Sequence, residues 1–392
     1  MQPAGSTSPA ATPPASKPHA STPQASTPLQ ALAAFVDWLF LGNWHARLAA
    51  PLARLAFLLV GVVLAGFLSY KALSNQITAT LILQEDRVSL ASYVDGTAEK
   101  PFTYRVLTPA LMRLVQDLHV PAMLRAMPGP LPGKLAGWCS LATSNPRPSC
   151  DTVTAYAVVA GAECFLFLLL IYAVCLSLFD NPVIALFGLA FTFWGVNAVL
   201  LLGLSHLYDF GAMMFVTLLL LCLQRGWSLA FTLVMPLAFM TKETLVLYAG
   251  SFFLAELGRS DPARTAALFL VQMVSFGIIY GLIMLHYAGN PGAGHEYYLG
   301  QQISFFTEQL TLPWLILFTV ALVLVFYRFA EKDRALRRAS IVILPWFALA
   351  MIGGYKKELR VAFEVLPLLL LFTIDSLVRL VRQVPRTPAR AD

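Results

Sequence analysis

Long apolar runs recur along the chain and constrain its fold more than any other feature. One transmembrane helix needs about twenty mostly apolar residues. Hydrophobic residues make up 58% of the 392 residues and charged residues only 12%, which is more apolar surface than a water-soluble core can hide. The sequence therefore predicts an all-α membrane protein. Its clearest spans are predicted near residues 51–71, 152–179, 183–203, 208–224, 265–287, 310–328, 339–353 and 361–379.

The apolar run 227–257 is too long for one such helix and short for two, and it contains Lys242 and Glu243. A charge at the centre of a bilayer costs about 2.5 to 3.5 kcal/mol on insertion scales. A single crossing would also put the arginine clusters on either side of the run into opposite compartments, against the tendency of Lys and Arg to collect in the cytoplasm. A tight helical hairpin with its tip at 241–244 removes both conflicts. The sequence therefore predicts about ten spans with both termini cytoplasmic.

The regions outside the apolar runs divide the chain further. Residues 1–30 are rich in Pro, Ala, Ser and Thr and lack the apolar residues that would offset the entropy of ordering, so they are predicted to form a disordered tail. Residues 31–380 are predicted to form a single membrane domain, and the basic residues 381–392 a cytoplasmic tail. Within the domain, residues 72–151 are predicted to be a large first outer loop.

This outer loop carries two further predictions. The stretch 101–127 has apolar residues at helical spacing with charged residues between them, which predicts an amphipathic helix on the outer membrane surface. Cys139 and Cys150 bracket a short loop with Pro and Asn turn residues, in a compartment where disulfides persist. They are predicted to form a structural bridge. No Cys or His spacing in the chain indicates a zinc site.

The ten-span topology places most polar residues near the membrane in one compartment. Ser205–Asp209, Thr241–Thr244 and Gly354–Arg360 all fall on the outer face. A lone Lys at such a place is most often an anchor at a helix end. The shared side of several such elements favours one polar cavity that opens outward. Glu163 is the exception, because it lies inside a predicted span. It is expected to be either a proton carrier or a neutral, hydrogen-bonded carboxyl.

Several functions lack their motifs. No glycine-rich loop that cradles phosphates is present, which argues against a nucleotide-driven pump or a nucleotide-sugar enzyme. Ser205 and His206 are adjacent, and adjacency alone does not make a nucleophile and its base. A secondary transporter remains open, although most charges gather at one face and not at mid-depth. Nothing indicates a nucleic-acid partner.

Four short stretches resemble a group of bacterial polytopic membrane proteins: PFTYRVLTP, the YD of SHLYDFGAMMF, the KET of FMTKETLVL and the E.R spacing of KKELRVAFEVLP. In that group an arginine often stands where Lys242 stands, usually after Asn, so TKET departs from the pattern at two positions. This resemblance covers residues from about 100 to 370. The general plan also resembles the GT-C class of membrane glycosyltransferases, which have many spans, a large first outer loop with a surface helix, and a cavity on the outer face.

The GT-C resemblance implies transfer of a sugar from a polyprenyl-phosphate donor at the outer face of the bacterial inner membrane. GT-C enzymes usually carry an essential acid early in the first outer loop, where this chain offers Glu85, Asp86 and Asp95. Asp86 is the expected base, and the choice among the three stays open. Several cations without matching acids would hold the leaving phosphate. The candidate binding residues are Tyr104, Arg105, His206, Tyr208, Asp209, Lys242, Glu243, Lys356, Glu358 and Arg360.

The predicted partners are a polyprenyl-phosphate lipid or lipid-linked sugar and the surrounding membrane lipids. The sequence names no cofactor and leaves a divalent cation open. Two other functions also stay open: a transporter or flippase of a lipid or small anion, and a non-enzymatic protein of envelope assembly. A two-fold internal repeat with helices broken at mid-membrane would favour transport.

Overall fold

The structure is a computed structural model that describes residues 51–82, 89–142, 147–202, 206–292, 298–304, 312–353 and 363–383. Within these ranges the chain is helical and contains no β-strand. The α-helices in chain order are α1 (Pro51–Ile82), α2 (Leu90–Asp95), α3 (Leu107–Asp117), α4 (Val120–Ala126), α5 (Leu131–Leu141), α6 (Cys150–Phe179), α7 (Pro182–Leu202), α8 (Asp209–Arg225), α9 (Ser228–Thr241), α10 (Leu247–Glu256), α11 (Pro262–His286), α12 (Leu299–Ser304), α13 (Leu312–Phe326), α14 (Arg334–Ala339), α15 (Ile343–Gly353) and α16 (Leu366–Gln383).

Five helical stretches of the described residues are long and apolar enough to cross a membrane. They are Arg54–Thr78, Cys150–Phe179, Pro182–Leu200, Pro262–His286 and Arg334–Gly353. The last stretch joins α14 and α15 through a 3-10 turn. These helices agree with the prediction of an all-α protein that crosses a membrane several times. The predicted tails at 1–30 and 381–392 lie outside the described residues, apart from the end of α16.

Helix α1 is longer than the sequence predicts. It continues to Ile82 and does not end near residue 71, so residues 72–82 belong to a helix and not to an irregular loop. Ala72 and Ile77 are buried in the core. Gln76 looks like a loop residue by its polarity, but its side-chain amide donates to the Tyr156 hydroxyl and the His206 carbonyl, each at 2.9 Å. Hydropathy alone predicts that this amide bonds to water, whereas in the folded chain neighbouring protein groups accept its hydrogen bonds.

The predicted single surface helix between residues 101 and 127 is wrong in detail, because the structure divides it into a 3-10 turn, α3 and α4. The break between the two α-helices falls at His119, which has a left-handed backbone with φ of 57°. Pro121 explains the break, since it has no N–H to donate to Asp117 in a continuous helix. Leu118 and Met123 remain largely exposed beside the break.

The run 227–257 forms two helices that turn back on each other at the predicted tip. Ser228 begins α9 and its hydroxyl donates to Glu256, the last residue of α10, over 3.1 Å. The rings of Phe231 and Phe252 stack with centroids 4.9 Å apart. The start of α9 therefore lies beside the end of α10, and the two helices run in opposite directions. Between them Lys242 is extended, with φ of −159° and ψ of 127°, and a 3-10 turn leads into α10.

Helices α6, α7 and α8 form the centre of the bundle, where small residues allow close approach. A Cβ on Gly188 of α7 would lie 2.6 Å from the Cys175 sulfur of α6. A Cβ on Gly211 of α8 would lie 2.9 Å from the Glu163 carboxyl of α6. Such small residues at crossings are typical of packed membrane helices. In contrast, α11 leaves Ile278 and Leu285 exposed, as expected for a helix that faces lipid.

Polar groups divide between the two ends of the bundle. We call the end that carries residues 241–244 the tip end, and the opposite end, where α8 finishes at Arg225, the basic end. At the basic end Arg259 donates to the Leu223 carbonyl over 2.8 Å. Also there, Lys332 pairs with Asp375 over 3.2 Å. The outer-loop residues described below lie at the tip end.

Candidate functional site

Arg105 is the centre of the polar cluster at the tip end. It follows the 3-10 turn Phe102–Tyr104, and its side chain is only 10% exposed. Its Nε and Nη2 donate to the two carboxylate oxygens of Glu243 over 3.3 and 3.1 Å, a bidentate arrangement. Burial by itself lowers the pKa of this guanidinium, but the adjacent Glu243 carboxylate more than offsets burial and leaves the pKa raised. Arg105 is therefore charged at any physiological pH.

Aromatic residues fix Arg105 from the other sides. Its guanidinium carbon lies 4.3 Å from the ring centre of Tyr208 and 5.5 Å from that of Phe102, within cation–π range. Its Nη1 also donates to the Tyr208 hydroxyl. The Tyr93 hydroxyl of α2 donates to the Arg105 backbone carbonyl over 2.7 Å. Burial raises the pKa of Tyr93 well above its ordinary value, so this hydroxyl stays a donor.

Lys242 forms a second ion pair beside the first. Its Nζ lies 2.5 Å from Oε1 of Glu364, and the two side chains are 9% and 2% exposed. The same Nζ lies 5.5 Å from the ring centre of Tyr208, so one aromatic ring contacts both cations. The Tyr248 hydroxyl donates to the Glu364 backbone carbonyl over 2.8 Å, which holds the carboxylate at the start of α16. Oε2 of Glu364 is buried without a hydrogen-bond partner among the described residues.

The expectation that Arg105 and Lys242 lack matching acids is therefore wrong. Each cation pairs with one carboxylate, so two positive and two negative formal charges cancel within the cluster. The physical reason is desolvation, because an unpaired charge away from water costs several kcal/mol and a partner offsets most of that cost. Sequence spacing does not reveal Glu364 as that partner, since 122 positions separate it from Lys242 (364 − 242).

Three further predicted binding residues, Tyr104, His206 and Asp209, lie near the cluster in supporting roles. The His206 backbone N–H donates to the Asp209 carboxylate over 2.7 Å, at the start of α8. The His206 ring contacts the rings of Phe102 and Tyr208, with centroids 5.2 and 5.4 Å apart. Tyr104 is buried but contacts Tyr280 of α11, with ring centroids 5.9 Å apart. These residues shape the surroundings of Arg105.

Of the three candidate catalytic acids, only Asp95 lies among the described residues. Asp95 is exposed at the last position of α2. Five predicted site residues lie outside the described residues, namely Glu85, Asp86, Lys356, Glu358 and Arg360. Ser89, three positions after Asp86, is fully buried and caps α2 by accepting from the Ser92 backbone N–H.

Sequence reasoning missed Tyr93, Tyr248 and Glu364. Glu364 had a usable signal, because it is one of only two carboxylates in the predicted span 361–379. The two tyrosines had none, since their hydroxyls bond to backbone carbonyls that spacing cannot locate. Glu163 is 4% exposed and accepts from the Thr108 hydroxyl of α3 over 3.2 Å, so this carboxyl is hydrogen-bonded.

A disulfide ties α5 to α6. Cys139 of α5 and Cys150, the first residue of α6, are joined by an S–S bond of 2.00 Å. The bridge involves no residue of either ion pair. Among the described residues no group of three or more His, Cys, Asp or Glu side chains is arranged to hold a metal ion.

The fold and the cluster define the class as an all-α protein of the multi-pass membrane type, with two adjacent ion pairs at one end of its helix bundle. Comparison of the chain with models of protein families, with curated proteins and with solved structures gave no match.

Proposed function

We propose that the protein crosses the bacterial inner membrane ten times, with both termini in the cytoplasm and the tip end outside. Arginines support this orientation, because Arg225, Arg259, Arg338 and Arg379 all lie at the basic end. Lys and Arg collect on the cytoplasmic side of membrane proteins. The reversal of direction between α9 and α10 supports the number of spans, since it returns the chain to the basic end within one apolar run.

Cysteine labelling tests this orientation. Thr97→Cys, at an exposed site after α2, is expected to react with an impermeant thiol reagent added outside intact cells, and Arg264→Cys, at an exposed site of α11, is not. The background is low because the native cysteines are either bridged or buried. The measurement is the mass added to the purified protein. Labelling of Arg264→Cys alone would reverse the proposed orientation.

We propose that the protein is a GT-C-like enzyme that transfers a sugar from a polyprenyl-phosphate donor at the outer face of this membrane. One observation carries the proposal: Arg105 of the outer segment and Lys242 of the hairpin tip meet around one ring, that of Tyr208. Ion pairs away from water contribute little net stability compared with apolar replacements, so stability alone does not explain the cluster. A guanidinium and an ammonium are the usual groups that hold a phosphate.

In this reaction a carboxylate takes the proton of the acceptor hydroxyl, the hydroxyl oxygen bonds to the sugar, and the polyprenyl phosphate leaves with the bonding electrons. Asp86 is the proposed base, with Glu85 and Asp95 as alternatives. Arg105 and Lys242, with Arg360, are the proposed cations that stabilise the leaving phosphate. His206, Tyr208 and Asp209 are proposed to contact the sugar or to orient the base, and Lys356 and Glu358 to complete the site.

The test is the lipid that purifies with the protein. We expect protein from bacterial membranes to retain a polyprenyl phosphate, detected by mass spectrometry of the extracted lipid. Arg105→Met should retain about tenfold to a hundredfold less, since hydrogen bonds to charged groups contribute about 1.5 to 3 kcal/mol. Arg264→Met, an exposed arginine at the other end of the bundle, is the matched control and should retain as much as the wild type. Equal retention by Arg105→Met would contradict the proposed site.

A transporter or flippase of a lipid or small anion is the second candidate, and one observation favours it. The helix break at Lys242 puts extended backbone next to a buried ion pair, a combination that transporters use to bind ions. The two candidate functions are distinguished by what the purified protein does to its ligand. An enzyme forms a glycosylated acceptor in detergent solution, whereas a transporter moves its ligand only across a sealed vesicle.

A further inference from the structure

Glu243 occupies the side of Arg105 that a phosphate would need. Its two oxygens accept from Nε and Nη2 over 3.3 and 3.1 Å. A phosphate offers a pair of oxygens to the same guanidinium fork, so a carboxylate and a phosphate are alternative ligands for it. Glu364 already neutralises Lys242, so neither of the two described cations is left over for a third anion. A phosphate can bind to Arg105 or Lys242 only if it replaces a carboxylate.

The two carboxylates differ in how easily they can be replaced. The side chain of Glu243 is 22% exposed and lies in the turn at the hairpin tip, whereas that of Glu364 is 2% exposed. The Glu243 carboxylate can therefore rotate into water and regain its hydration. The Glu364 carboxylate is surrounded by protein, so it would lose its partner without gaining hydration. The exchange is favoured at Arg105 and not at Lys242.

Arg105 keeps its position when Glu243 leaves. The Tyr208 ring at 4.3 Å and the Phe102 ring at 5.5 Å hold the guanidinium, and the Tyr93 hydroxyl holds the backbone carbonyl. None of these contacts involves Glu243. The departure of the carboxylate thus exposes a preorganised donor pair and does not release a flexible side chain.

We propose that Glu243 is an exchangeable internal ligand, which holds Arg105 until the phosphate of a lipid-linked substrate displaces it. This inference rests on the proposed function. The paired state protects the bundle from an unpaired buried cation when no substrate is bound. It also makes binding selective, since a ligand displaces Glu243 only if its oxygens bind the guanidinium more strongly than the carboxylate does.

The test is the affinity of the full chain in nanodiscs for a polyprenyl monophosphate, with the polyprenyl alcohol of the same length and inorganic phosphate as further probes. With a competing carboxylate, the apparent Kd equals the intrinsic Kd divided by the fraction of molecules in which Arg105 is free. If that fraction is about one tenth, Glu243→Gln is expected to bind the lipid phosphate about tenfold more tightly. The matched control is Glu256→Gln, a buried carboxylate 3.9 Å from Arg259 at the basic end, which should bind like the wild type.

Tighter binding of the lipid phosphate by Glu243→Gln, with unchanged binding of the alcohol, supports the exchange. The same gain for inorganic phosphate also supports it and moves the source of the ligand from lipid to free phosphate. Binding by the wild type with no gain in Glu243→Gln overturns the exchange and leaves the proposed function standing. If no variant binds either phosphate, both are overturned. Should Glu243→Gln fail to fold, Glu243→Asp keeps the charge but shortens the reach, and a smaller gain is expected.

Discussion

Replacing Lys242 by methionine is expected to lower the free energy of unfolding by about 3 to 5 kcal/mol, because removal of one partner leaves a buried charge without compensation. The partner is Glu364, whose side chain is 2% exposed and whose Oε1 lies 2.5 Å from the lysine Nζ. The loss is expected to be much larger than that of an exposed lysine. Lys134→Met in α5 is the matched control and should change the stability by less than about 0.5 kcal/mol.

The double variant Lys242→Met/Glu364→Gln separates the charge effect from the loss of packing. It removes both charges and should recover most of the stability that Lys242→Met loses, since replacing a whole buried pair is often close to neutral. The measurement is unfolding in mixed detergent micelles, followed by circular dichroism. If the double variant is as unstable as Lys242→Met, the ion pair is not the reason for the loss.

Replacing Gly211 by alanine is expected to cost about 1 to 3 kcal/mol of stability, the usual cost of overpacking a filled core. The added Cβ would lie 2.9 Å from Oε1 of Glu163 and 3.0 Å from its Cδ. The carboxyl has little room to move, since it is buried and accepts from the Thr108 hydroxyl over 3.2 Å. The crossing of α6 and α8 therefore depends on the missing side chain.

Gly250→Ala is the matched control for this effect. Gly250 lies inside α10, and a Cβ there would meet nothing within 4 Å. Alanine is the better helix former by about 1 kcal/mol, so this variant should unfold at the same denaturant concentration as the wild type or a higher one. A stability of Gly211→Ala equal to that of Gly250→Ala would show that α6 and α8 are farther apart than described.

The sequence predicts the helices well where one rule dominates. The sequence predicts α6 at 152–179 and the helix is Cys150–Phe179, because proline and asparagine residues flank the apolar run on both sides. The end of α1 was placed too early, because hydropathy reads Gln76 as exposed and cannot include a partner 80 positions away, the Tyr156 hydroxyl. Hydropathy reflects the free-energy cost of burying a polar group that has no hydrogen bond. Only the fold shows whether the buried group has a hydrogen-bond partner.

The site was predicted in part for the same reason. Charges in apolar surroundings are conspicuous, so Arg105, Lys242 and Glu243 could be selected from the sequence, and the structure brings them together. Which cation pairs with which carboxylate could not be predicted from the sequence. The adjacent Lys242 and Glu243 suggest a pair, but the extended backbone at Lys242 turns the two side chains toward different partners.

Because α9 is short, the thickness of the bilayer is expected to decide whether Lys242 and Glu243 reach water. Helix α9 has 14 residues, which at 1.5 Å per residue reach about 21 Å, against about 30 Å of hydrocarbon in a typical bilayer. Trp227, which precedes α9 and is 52% exposed, is the kind of residue that anchors a helix at the headgroup level. If it fixes the start of α9, Lys242 and Glu243 end below the opposite surface unless the membrane thins around them, at a modest cost per ångström. Short-chain lipids would therefore bring these charges to water, and long-chain lipids would cover them.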